Sequence, residues 1–284
     1  MTAPDETLDR ARLVASIAEQ LGSRQEAVWL VDHAGAGLAQ GLADRRKAGE
    51  PLQYVISSWP FRTVELHVDP RVLIPRPETE HVVGVALGEL GRMGPGSGVR
   101  VCVDLGTGSG AIALSLAAEG GMICPGIEVW ATDVSMDALN VAGENRERLG
   151  RTDPTAARRV RLAGGSWFDA LPSGLVGRTD LLVSNPPYVA ESEYPDLDPV
   201  VRDWEPRGAL VASAGAGGVE GMADIEAIIA GAPRWLRRSG ALVVEIAPSL
   251  AAPSVAAARE AGFDRVRTEP DLAGRARTLV AGWQ

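Results

Sequence analysis

From Val99 onward, runs rich in β-branched and apolar residues alternate with segments of helical spacing, and this alternation constrains the fold more than any other feature. Strands are expected at residues 99–105, 128–134, 160–163, 180–184 and 241–246, with weaker ones at 265–268 and 278–281. Between them the spacing predicts helices over 110–119, 136–149, 222–236 and 249–261. Asp180-Leu181-Leu182-Val183 suits a strand covered on both faces, because a half-solvated strand would alternate apolar with polar. The pattern predicts an α/β fold, an open and mostly parallel sheet flanked by helices on both sides. Ligands in such a sheet sit at the carboxyl ends of the strands.

Upstream, residues 1–50 are expected to form a small N-terminal helical domain. Leu8, Val14, Ile17, Ala18 and Leu21 share a helix face that Gly22-Ser23 ends; Ala27 to Val31 begin a second helix, and a third spans 38–47. The Arg45-Arg46-Lys47 run on it is expected to be a solvated face. Residues 51–77 are expected to be a β-hairpin and linker, pairing 53–56 with 63–68 around Ser57-Ser58-Trp59-Pro60. After Pro70, Pro75 and Pro77 a helix is expected over 78–90, and residues 91–98 make the clearest Gly/Pro linker within the 78–284 domain.

Composition excludes several classes. Hydrophobic residues at 45% and charged residues at 23% permit a sizeable core and argue against disorder. A net charge of -9 argues against tight duplex binding, which rests on many Lys/Arg–phosphate contacts, so no stably bound nucleic acid is expected. The two cysteines, Cys102 and Cys124, cannot form a disulfide scaffold, and no Cys/His spacing resembles a zinc site, so no metal is expected. Met1 to Arg10 lacks an apolar signal core and no run of 18 apolar residues occurs, which predicts a cytoplasmic protein without a membrane anchor.

Asp104-Leu105-Gly106-Thr107-Gly108-Ser109-Gly110 ends the first strand of this domain and opens a helix. Its glycines permit a sharp turn and the approach of a ligand with no Cβ in the way. Gly106, Gly108 and Ala111 also satisfy a dinucleotide G-x-G-x-x-A pattern, with Asp133 at the end of the second strand placed to accept from ribose hydroxyls, so NAD stays open at this point. Asp104 favours S-adenosyl-L-methionine, since a carboxylate before the turn suits an amino group and sulfonium better than a pyrophosphate.

Asp180 to Ser184 run directly into Asn185-Pro186-Pro187-Tyr188 at the carboxyl end of the fourth strand. Two prolines stiffen this corner and free the preceding carbonyls from ladder bonds. The Asn185 side-chain oxygen and the Pro186 carbonyl can then both accept from one planar –NH₂ group, with Tyr188 stacked on its plane. Such nitrogens are poor nucleophiles because their lone pair is delocalised; two fixed acceptors orient them and favour pyramidalisation.

Together the two motifs look like an S-adenosylmethionine-dependent methyltransferase acting on a planar amine. The chain resembles, within that group, the bacterial release-factor glutamine N(5)-methyltransferases, the PrmC/HemK family. Gly49-Glu50-Pro51-Leu52-Gln53-Tyr54, Val72-Leu73-Ile74-Pro75-Arg76-Pro77-Glu78-Thr79-Glu80, Ser166-Trp167-Phe168, Glu205-Pro206 with Ala209-Leu210, and Asp271-Leu272-Ala273-Gly274 carry that resemblance. It implies a Rossmann-like methyltransferase domain and methyl transfer to the glutamine side chain in the Gly-Gly-Gln motif of peptide-chain release factors, leaving S-adenosyl-L-homocysteine. By position it implies that Asp104, Gly106, Thr107, Gly108, Ser109, Gly110, Asp133, Trp167 and Asn185 contact the cofactor. Asn185, Pro186, Pro187 and Tyr188 would hold the glutamine amide, with Asn185, Pro186 and Tyr188 catalytic and Leu73 walling the substrate pocket. Arg76 and Glu78 would serve either as an interdomain hinge or as substrate contacts.

The chain departs from the family at four places. Ser166 stands where Asp usually precedes Trp-Phe, Ala276 where Asp often precedes the late arginine, and 215–221 is a looser Gly-rich turn. Only about 48 residues precede Gly49, a shorter helical domain than the family's. That keeps methylation of a ribosomal-protein glutamine open beside adenine N(6) methylation of nucleic acid, which uses the same tetrad on a flipped base. His33, His67 and His81 read as ordinary surface or packed histidines, Cys102 as core, and Glu191, Glu193, Asp196 and Asp198 as a solvated loop.

Overall fold

The computed structural model describes residues 3–94 and 98–283, with side chains from Asp9 onward. Residues 95–97 of the expected linker and the side chain of Leu8 lie outside the described residues. The chain opens with three helices, α1 (Ala3–Leu21), α2 (Arg24–Ala34) and α3 (Ala36–Lys47). Ser23 caps α2 by accepting from the Glu26 amide at 3.2 Å, and Gly35, at φ 69, turns α2 into α3. Arg46 does not belong to a solvated face: it pairs with Glu26 at 2.8 Å, and Arg45 with Glu50 at 2.5 Å. These helices bury Val14, Ile17, Ala27, Leu30 and Ala39 in a core of their own.

The expected strand at 53–56 is instead a helical turn, α4 (Leu52–Ile56), and the hairpin is the shorter β1 (Trp59–Phe61) with β2 (Val64–Leu66). Packing explains the difference. As a helix the segment points Leu52 and Val55 into the N-terminal core and Tyr54 into the next, where its hydroxyl donates to the Val72 carbonyl at 2.5 Å. Arg62 in the hairpin turn ties it to the next helix, α5 (Pro77–Arg92), by donating to the Glu80 carbonyl at 2.8 Å.

The rest alternates as expected: β3 (Arg100–Leu105), α6 (Ala111–Ile123), β4 (Ile127–Asp133), α7 (Met136–Thr152), then a short α8 (Pro154–Arg159) that the spacing did not signal, and β5 (Val160–Gly164). β6 (Thr179–Ser184) follows, then a two-residue ladder of β7 (Val189–Ala190) and β8 (Val211–Ala212) flanking α9 (Pro199–Arg202). α10 (Ala223–Trp235), β9 (Leu236–Glu245), α11 (Ala251–Glu260), β10 (Arg265–Pro270) and β11 (Ala276–Gly282) complete it.

The main sheet has the order β10-β11-β9-β6-β3-β4-β5, and β11 alone runs against its neighbours. Period-two alternation divides each central strand between two cores. Cys102, Leu181 and Val183 pack on the side of α5, α6 and α7, while Val103, Leu105 and Leu182 pack beneath α10 and α11. This is a Rossmann-like sheet. No described helix is long and apolar enough to cross a membrane, and no described cluster of His, Cys, Asp and Glu could hold a metal ion.

Candidate active site

After β3 the chain moves outward through β4 and β5, then returns to β6 on the other side of β3. The helices following these strands leave in opposite directions there, and a cavity of about 430 Å³ opens at their carboxyl ends. Its wall is drawn from stretches far apart in the chain, among them the lead-in to α5, the turn after β3, the ends of β4 and β5, and the corner after β6.

Gly106, Gly108 and Gly110 all adopt left-handed backbone, with φ of 73, 55 and 85. Gly106 to Ser109 line the cavity, and a Cβ on Gly108 would meet nothing within 4 Å, so the backbone there is bare to a ligand. A Cβ on Gly106 would come within 3.3 Å of the Trp167 ring. Trp167 itself has φ 43, unusual for a bulky residue, and its indole donates to Asp224, another lining residue. Burial pushes the Asp224 carboxyl up, and that hydrogen bond opposes the push.

Asp133 lines the cavity and also braces the turn: Oδ2 accepts from the Gly108 amide and Oδ1 from the Ser135 amide, each at 2.9 Å. Burial raises its carboxyl, against the pull of those amides. Asp104 is placed differently from the expectation. It is wholly buried behind the turn and lines no part of the cavity; Oδ2 accepts from the Thr107 hydroxyl at 2.6 Å and the Ala113 amide at 3.1 Å. Its Oδ1 has no partner, and burial pushes the carboxyl up to about 7. Gly110 likewise lies outside the wall, packed on Ala142 and Leu114 at the start of α6.

At the corner after β6, Asn185 and Pro187 face the cavity whereas Pro186 is buried. Asn185 Nδ2 donates to Thr79 Oγ1 at 3.1 Å, and among the described residues no hydrogen bond ends on Asn185 Oδ1 or the Pro186 carbonyl. The Tyr188 hydroxyl donates to Glu245 Oε1 at 3.2 Å, and the ring packs against the α10–α11 core rather than lining the cavity. Burial pushes that phenol up, and the adjacent Glu245 pushes it further.

Leu73, Pro75 and Thr79 supply the lead-in wall. Arg76 pairs at 2.5 Å with the buried Glu205, whose other oxygen accepts from the Ile74 amide at 3.1 Å, and Glu78 lies 3.7 Å from Arg275. Both are therefore clasps between segments. Ser166 lines the cavity, exposed. None of Glu191, Glu193, Asp196 and Asp198 lines it; Glu191 pairs with Arg207 and Asp198 caps α9. His67 is packed between Ser57 and Asp69.

Thr79, Glu245 and Asp224 also belong to the site or its support, and no motif marks them as such. Thr79 sits within the lead-in quoted above, and Glu245 left a signal: a lone carboxylate in the apolar run Leu242-Val243-Val244-Glu245-Ile246. Asp224 reads as an ordinary helix-start acid.

A fold of this kind is found in the N-terminal domain of human METTL16 in complex with SAH, with a TM-score of 0.53, 18% identity and 85% of this chain matched to 84% of that one. A methyltransferase from Pyrococcus furiosus gives 0.51 and 18%, over 85% of this chain and 96% of the other. Residues 95–197 match the methyltransferase small domain family. The fold is thus that of S-adenosylmethionine-dependent methyltransferases. The release factor glutamine methyltransferase of Bordetella pertussis is 41% identical over 93% of this chain and 86% of its own length. Those of Gloeobacter violaceus and Moorella thermoacetica are 41% and 38% identical, over 83% and 97% of this chain and 76% and 86% of their own. The chain belongs to this family.

Proposed function

We propose that this protein transfers the methyl group of S-adenosyl-L-methionine to the side-chain amide nitrogen of glutamine in the Gly-Gly-Gln motif of peptide-chain release factors. One observation carries the reading: the two oxygens at the Asn185-Pro186 corner accept no hydrogen bond from the described protein, beside a cavity shared with a glycine turn. Membership of a family whose relatives are named release factor glutamine methyltransferases supports the substrate class.

The donor set fits the cofactor. Bare backbone at Gly108 admits a chain that a Cβ would block, Asp133 retains lone pairs for ribose hydroxyls, and Trp167 offers a flat apolar face. S-adenosyl-L-methionine, when bound, supplies a methyl group on a positively charged sulfur and leaves as S-adenosyl-L-homocysteine. Asn185 Oδ1 and the Pro186 carbonyl then accept the two N–H bonds of the glutamine amide, hold it in the cavity and draw its lone pair out of conjugation. On gaining the methyl group the nitrogen becomes positively charged and acidic and releases one proton to water, so no tuned base is required beforehand. Asp104 supports from behind, fixing Thr107 and the start of α6.

Incubation with labelled methyl donor, a release factor, a ribosomal protein and an adenine-containing oligonucleotide, followed by mass spectrometry, tests this. Label on the glutamine of Gly-Gly-Gln is expected. Label on the oligonucleotide or only on the ribosomal protein overturns it.

A further inference from the structure

The corner after β6 has a polarity that the corner itself does not set. An asparagine amide is nearly symmetrical in shape, and turning it over exchanges an acceptor for a donor at the same place. A site that receives an –NH₂ group works only with Oδ1 outward. What holds the amide that way round lies on two other elements.

Glu245, at the end of β9, is 1% exposed, and its two oxygens reach in two directions. Oε2 accepts from the Thr79 hydroxyl at 2.7 Å, and Oε1 from the Tyr188 hydroxyl at 3.2 Å. Burial is the main force on this carboxyl and pushes it up to about 6, with Glu78 adding to the push and Thr79, Tyr188 and Arg277 opposing it. As a carboxylate it can only accept, and both of its oxygens do so here. Thr79 must then spend its single hydrogen on Glu245 and turns lone pairs toward Asn185. Facing lone pairs, Asn185 can present only Nδ2, which is the 3.1 Å hydrogen bond observed. The direction of every hydrogen bond in the chain follows from one charge.

We propose that Thr79 and Glu245 are positioning residues that lock the Asn185 amide with its oxygen toward the substrate, Glu245 anchoring Tyr188 at the same time. The proposal rests on the reading of Asn185 as the amide acceptor. Neither residue needs to touch the reacting atoms; Thr79 acts through Asn185, and Glu245 acts through Thr79.

Three variants test it, with turnover on a release factor, S-adenosyl-L-homocysteine affinity and melting temperature measured for each. Thr79→Val keeps the shape but offers no lone pair, so kcat is expected to fall by about 10- to 100-fold, with homocysteine-product affinity within about 3-fold of wild type. Thr79→Ser restores the hydroxyl and is expected to recover kcat to within about 3-fold. Glu245→Gln retains the volume but can donate to Thr79, which releases the amide to turn over, and its kcat is expected to fall with that of Thr79→Val. If wild type methylates the glutamine and Thr79→Val turns over equally fast, the locking role is wrong. Failure of Thr79→Ser to recover a lost kcat also overturns it, by making the threonine a packing residue. A wild type that leaves glutamine unmodified overturns the underlying reading of Asn185 instead.

Discussion

Asn185 and Gly108 make opposite demands on their surroundings, one for polar geometry and the other for empty space. Asn185→Ala removes the acceptor but leaves the glycine turn intact, so kcat is expected to fall by about 100-fold or more while S-adenosyl-L-homocysteine binding changes little. Isothermal titration beside a turnover assay separates the two. Gly108→Val fills bare backbone and forces a β-branched residue to φ 55. Strain of about 1–3 kcal/mol plus a blocked ligand path should weaken homocysteine-product binding by at least about 10-fold, the reverse of the first pattern. Asp104 gives a pH signature. Its folded carboxyl titrates at about 7 against 3.8 for an unperturbed one, so the folded state holds the proton longer. The stability lent by that proton is full below about pH 4, declines as pH rises toward 7 and is gone above it. Asp104→Asn cannot ionise; in ligand-free melts its melting temperature is expected to gain on wild type from about pH 4 to about pH 7 and hold the gain above. A difference that does not vary with pH would refute this. At this scale the sequence revealed groups that are neighbours in the chain, Gly106 to Ser109 and Asn185 to Pro187. Thr79 reaches Asn185 across 106 residues and Tyr188 reaches Glu245 across 57, and no local pattern encodes those encounters.

Elements were legible wherever periodicity ran long. The alternation of β3, α6, β4, α7 and β6 emerged because each carries a full apolar stripe or run. α4 did not, because five residues including Val55 and Ile56 suit either state, and the choice fell to which cores their side chains could reach. The 3-10 turn Trp167–Ala170 is held by packing of the same kind. Phe168 stacks on Trp235 with centroids 5.9 Å apart, and a Cβ on Gly231 of α10 would stand 2.4 Å from the Phe168 ring. Gly231→Ala is therefore expected to cost about 1–3 kcal/mol by overpacking and to displace the neighbouring Trp167. Chemical denaturation and product titration should both register it; a stable variant with unchanged binding would show that α10 and the turn are not coupled.

Across the whole molecule, ion pairs reinforce joints that the cores already make. Arg62 links the hairpin to α6 through Glu119, with contacts at 2.6 and 2.7 Å, and to α5 through the Glu80 carbonyl. Arg62→Ala strands a largely buried carboxylate, and a loss of about 2 kcal/mol is expected in urea unfolding, discounted for the water that still reaches the pair. The sheet order and the reversed direction of β11 were invisible in the sequence, since both depend on which distant strand each one pairs with. A mostly parallel sheet with its ligands at the carboxyl ends of the strands could be anticipated from the βα rhythm alone.

Glu245 sits beneath the floor of the cavity, beyond the reach of any incoming side chain. On the proposed reading, what the site accepts is decided by a charge that the visitor never meets. Neutralising that charge would leave every wall standing while reversing the question the pocket asks, from a hydrogen offered to a lone pair offered. Selectivity of this design can be rewritten from underneath, without recutting the surface that makes contact.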